Sequence, residues 1–187
     1  MKTERGQVVV IVAVLLMVLL ILLAVLIDGA RLFVEQQEIN RALDAAGKGG
    51  LIVVGDRMVT QVVAAKTAAA SITPSVGTPG PTPTHTPAPD DFYAWLTEEH
   101  RQTLVAPPMQ TAVATYVLGS LTENGLGKDN PDLIGVGISY PENYHTGDPT
   151  LDILLDLDRN VVIIFGKFIN LNKGVLSGSS KQTIPQR

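Results

Sequence analysis

The sequence predicts an α+β protein in two parts: an apolar N-terminal helix, then a small domain of helices and antiparallel strands. Three observations carry that expectation. Twenty consecutive residues, Val8 to Ile27, are drawn only from Val, Ile, Leu, Ala and Met. A Thr/Pro-rich stretch separates the two halves of the chain. Beyond it, apolar residues recur first at helical spacing and then at every second position.

The apolar run comes first. A twenty-residue helix rises roughly 30 Å, the thickness of the hydrocarbon core of a bilayer. It satisfies its own backbone hydrogen bonds, which lipid cannot do for it. The run has no polar stripe of the kind a helix packed on a soluble core would keep in water. It is longer than the h-region of a cleaved signal peptide, and Leu26-Ile27-Asp28-Gly29-Ala30 offers no small-x-small cleavage site. An uncleaved, single-pass transmembrane helix over 8–27 is therefore expected. Lys2 and Arg5 crowd the short N-terminal segment 1–7, which favours a cytoplasmic N-terminus and an extracytoplasmic remainder.

Residues 28–72 continue as proline-free, helix-compatible sequence, with Leu32, Ile39, Leu43 and Ala46 at helical spacing. They predict an extracytoplasmic helical stalk. Gly47-Lys48-Gly49-Gly50 predicts a kink or break, because each glycine costs a helix about 1 kcal/mol relative to alanine. A second helix would then run from about Leu51 to Ser71.

Residues 73–89 hold six prolines and five threonines, and almost nothing apolar to bury. That composition predicts an extended linker, with O-glycosylation as a compositional hint and His85 solvated within it. Residues 90–172 predict the small folded domain. Asp90 and Asp91 can cap a short helix reaching about Arg101, and Pro107-Pro108 opens a second helix that ends at Asn124-Gly125. Strands are expected around Ile134–Tyr140, around Leu151–Asp158 and from Val161 to Ile169, the last two joined by a turn at Arg159-Asn160. Residues 173–187 look like a flexible tail.

Chemistry is sparse. Residues 1–7 carry a net +1, residues 28–72 are neutral and residues 90–187 carry −5, which together make the chain's −4. An acidic outer domain argues against nucleic acid as a partner. Cysteine is absent, so thiolate chemistry and disulfides are excluded. No nucleophile elbow, Walker loop or zinc-helix motif occurs. Gly135-Val136-Gly137 lacks a dinucleotide loop's third glycine, and His100 and His145 each lack a second ligand at helical spacing. Asp156-Leu157-Asp158-Arg159-Asn160 fits the start of an EF-hand loop, but Val161 stands where glycine is needed and Lys167 where glutamate is. The expectation is no enzyme, no catalytic residue, no cofactor and no metal.

The N-terminal block has a recognisable order. Arg5-Gly6-Gln7, the apolar run, Asp28-Gly29-Ala30-Arg31-Leu32-Phe33 and then Leu43-Asp44-Ala45-Ala46 resemble the TadE/TadG-like proteins of Flp (tight-adherence) pilus assembly. The resemblance covers roughly residues 4–70. Pilin-like members have a glutamate five residues after the glycine, where this chain has Ile11, and long TadG proteins carry a D-x-S-x-S metal site that is missing here. A short, unprocessed TadG-like type is the nearest match. The resemblance implies a non-catalytic, membrane-anchored component of a pilus or secretion apparatus, with pilin or other assembly proteins as partners. The alternative is a membrane-tethered ligand-binding or sensor domain.

Overall fold

A computed structural model of the chain describes residues 3–71, 91–166 and 173–186. It is α+β: one long helix, α1 (Thr3–Ser71), then α2 (Glu98–Val105), α3 (Pro107–Glu123) and strands β1 (Leu133–Ser139), β2 (Thr150–Val162) and β3 (Lys173–Pro185). A 3-10 turn, Tyr93–Trp95, precedes α2. The strands form one antiparallel sheet in the order β1-β2-β3.

The two halves of α1 have opposite surroundings. Val8 to Ile27 is bare of protein contacts, with every large apolar side chain of that stretch exposed. From Ile39 onward the helix carries a buried stripe: Ile39, Leu43, Ala46, Val54, Met58 and Val62. α3, β2, β3 and α2 all pack against this second half. What was expected as a stalk is thus the central element of the head, the folded body that α1 shares with the rest of the chain.

The expected break at Gly47 to Gly50 is absent, and α1 runs through it. Those glycines are contact points. A Cβ on Gly49 would collide with the Tyr116 ring of α3. One on Gly50 would meet Val117 and Ile153, and one on Gly47 would lie 2.8 Å from Gln182 of β3. The propensity cost is offset by the close approach of two neighbouring layers. Gly178 makes the reciprocal approach from the sheet, where a Cβ would fall 2.5 Å from Ile39 and 2.9 Å from Leu43.

The remaining elements follow from local chemistry. Thr97 and His100 form a capping box at the start of α2, so His100 is a helix cap, while Asp91 accepts from the Tyr93 and Ala94 amides in the preceding turn. Pro107 and Pro108 open α3, which buries Met109, Val113, Val117 and Leu121, one residue per turn. Asn124 ends it, and Gly125 turns the chain with φ +74°. Leu151, Ile153, Leu155 and Leu157 face α1 from β2, and Val136 and Ile138 pair beside Leu157 and Leu155. Ile134 is the extra residue of a bulge between Leu133 and Gly135, which leaves it exposed rather than in the core. The buried Tyr140 hydroxyl donates to the Leu104 carbonyl at 2.9 Å, and burial pushes its phenol well above its usual pKa.

Two sequence expectations are overturned here. Arg159-Asn160 is not a turn: β2 passes straight through to Val162, with Arg159 opposite Leu176 and Asn160 opposite Val175. The third strand is not Val161–Ile169, and residues 173–187 are not a loose tail, because Lys173–Pro185 forms β3 along the whole of β2. β3 looks weak in sequence because the middle of its inward face, at Gly178, Ser180 and Gln182, is small or polar against α1. Ser180 donates to Asp44 at 2.6 Å and Gln182 donates to the same oxygen at 3.2 Å. The linker expected over 73–89, with His85, and the Asp90 cap lie outside the described residues.

Two measurements check this packing. Ile39, Leu43, Val54 and Met58 are nearly fully buried, and at ~2 kcal/mol each their loss removes on the order of 8 kcal/mol, comparable to a domain's whole stability. A fragment of residues 91–187 should therefore lack cooperative unfolding and dispersed amide resonances, whereas a fragment of residues 30–187 should show both. In the second test, Gly119, with open space around it, should tolerate alanine and gain about 0.5–1 kcal/mol of stability. Gly178→Val should lose about 1–3 kcal/mol by overpacking, both read by denaturant titration.

Candidate functional site: the end of the apolar run

Among the described residues no group of three or more His, Asp or Glu side chains is placed to hold a metal ion. The EF-hand-like run lies on a straight strand, with Asp156 opposite Ser179 and Asp158 opposite Ser177. Ser177 donates to Asp158 at 2.5 Å, so that carboxylate serves a cross-strand bond. Farther along the same face Asp152 takes a 2.7 Å ion pair from Lys181 and a hydroxyl from Thr183. The hydrogen bond from Lys181 is the main cause that holds the Asp152 carboxyl below its usual range. His145 is exposed near Asp148, and Gly135 and Gly137 lie within β1. A groove lined by Glu38, Arg41, Ala42, Ala45 and Asn124 runs beside α1 and holds no nucleophile.

The feature with a structural purpose beyond the core is at the end of the apolar run. Asp28 is 7% exposed although it sits one residue past Ile27. Its two carboxylate oxygens accept from the backbone amides of Ile164 (3.1 Å) and Phe165 (2.8 Å). The chain leaving β2 is thereby fastened to α1 across 136 residues of sequence. Near it, Arg31 donates to Glu35 at 2.8 Å on the helix surface. Higher up, Gln36 donates to the Ser177 carbonyl.

These bonds follow a common geometry. β3 runs beside α1 in the same direction, since Gly178 meets Ile39, Asn40 and Leu43, Gln182 meets Gly47, and Ile184 meets Gly55. Six strand residues span about 20 Å, and the fourteen helix residues between positions 41 and 55 span about 21 Å. Carried back along the strand, Lys173 and its partner Val162 fall level with roughly residue 30 of the helix. The end of β2 therefore reaches the last turn before the bare apolar half.

In sequence Asp28 belongs to a local signature that assigns it no role. Its partners are far away in sequence and are backbone amides, so no side-chain motif could announce them. An acidic residue directly after an apolar span is the available signal. No family model, curated protein or solved structure matches this chain.

Loss of the Asp28 carboxylate leaves two amides without their acceptors, at about 1–3 kcal/mol. In Asp28→Ala, amide exchange at Ile164 and Phe165 should accelerate roughly tenfold or more, while the strand amides opposite Gly47 to Gly55 keep their protection. Unchanged exchange at both positions would show that Asp28 does not hold this segment.

Proposed function

We propose that this chain is a membrane-anchored, non-catalytic component of a Flp/Tad-type pilus assembly or secretion apparatus. The observation that carries the reading is the division of one uninterrupted helix into a bare apolar half and a half that forms the core of the head. The first half is long and apolar enough to cross a membrane, near the N-terminus. In this reading it crosses once, with Lys2 and Arg5 on the cytoplasmic side and the head outside.

The head acts by contact. Ile52, Val59 and Val63 form an exposed apolar stripe on the face of α1 turned away from the core, a surface suited to a pilin or neighbouring assembly protein. The R-G-Q start, the Asp28/Arg31 exit and the Leu43-Asp44-Ala45-Ala46 continuation support the assignment to TadE/TadG-like proteins. Within the head the Asp44 oxygen receives Ser180 and Gln182, which gives that signature residue a packing role.

Deletion in the parent organism tests this. Surface pili should be lost or sharply reduced, adhesion should fall with them, and the full-length chain supplied in trans should restore both. Pili of normal number with normal adhesion in the deletion strain would refute the proposal.

A further inference from the structure

We infer that the end of β2 is a second membrane contact, with Ile164 seated in the lipid interface on the outer side of the apolar helix. The inference rests on the reading of α1 as a membrane anchor. It adds a lipid-facing surface to the head itself.

Four observations support it. The amides of Ile164 and Phe165 are bound to Asp28, so these residues sit level with the first turn past Ile27. The course of β3 beside α1 gives the same level independently, because Lys173 and Val162 lie near residue 30. Apolar side chains at this level are uncovered beside the Arg31–Glu35 pair: Ile27 is 47% exposed and Ile164 46%. Finally, Ile27 is itself the last residue of the bare apolar half of α1, so lipid that covers that half reaches this level.

The hydrogen bonding fits such a place. A chain leaving a strand has amides without ladder partners, and hydrocarbon supplies no acceptor for them. Asp28 supplies two acceptors within the protein, so the amides of Ile164 and Phe165 stay paired where the segment approaches the hydrocarbon. The exposed Lys173 lies at the same level, with a stem long enough to reach the phosphate layer. Apolar and aromatic side chains beside a basic residue are the composition of an interfacial segment.

The chain has no cysteine, so an introduced one is a unique attachment point for a nitroxide. The full-length chain is placed in phosphatidylethanolamine/phosphatidylglycerol vesicles with a label at Leu19→Cys, Ile164→Cys or Thr115→Cys. Collision with oxygen, which partitions into lipid, is compared with collision with a water-soluble nickel chelate. The Ile164 label should show an oxygen-to-nickel ratio about threefold or more above that of Thr115, and below that of Leu19. Asp28→Ala in the Ile164→Cys chain should lower the ratio towards the Thr115 value. An Ile164 label that matches Thr115 while Leu19 reads as lipid overturns the second contact and leaves the anchor standing. A label shielded from both reagents overturns it too, since protein then covers the tip. A Leu19 label that reads as water overturns the anchor and the inference together.

Discussion

The fold depends on how closely two backbones can approach α1. On one side the sheet closes on the helix at Gly178 and Gly47; on the other, α3 closes at Gly49 and Gly50. A helix surface studded with side chains would hold these layers farther apart and open space beside Leu155, Ile153 and Val117, which pack at or next to those glycines. The four-residue glycine-rich segment is therefore a flattened face of an intact helix. Its cost in helix propensity is small beside the dispersion and burial that the two closely packed layers supply.

This constraint also explains why α1 could not be divided into stalk and head. The stripe from Ile39 to Val62 is buried only when α2, α3 and the strands close on it, and the apolar face of β2 is covered by that stripe in turn. Helical continuity through Gly47 to Gly50 keeps the register of the stripe unchanged between the sheet contact at Ile39 and the α2 contact at Gln61, which bonds to Thr103. A kink would rotate one end of the stripe out of the core.

Much of the architecture was legible from the sequence, for identifiable reasons. The bare apolar run, the proline start of α3, its stop at Asn124-Gly125 and the alternation of Leu151 to Leu157 are strong local signals, and each has its counterpart in the structure. The failures were all long-range. A local rule reads glycine as a helix breaker, whereas the rings and strands that require it lie more than sixty residues away. β3 reads as a tail because Gly178, Ser180 and Gln182 occupy its inner face, and only Asp44 makes that polarity sensible. At Arg159-Asn160 polar residues on an edge of the core imitate a turn. The role of Asp28 was hidden in the same way, since its partners carry no side-chain signature.

The unbroken course of α1 makes it a lever. Its 69 residues extend about 100 Å, and the part beyond Asp28 accounts for about 65 Å of that. Transmembrane helices tilt on average by about 20°, and with no hinge at the glycines such a tilt swings the far end sideways by about 20 Å. With α1 as the proposed membrane anchor, bilayer thickness and the packing of neighbouring spans would set where the head stands, and a change deep in the lipid would displace the far end of the helix.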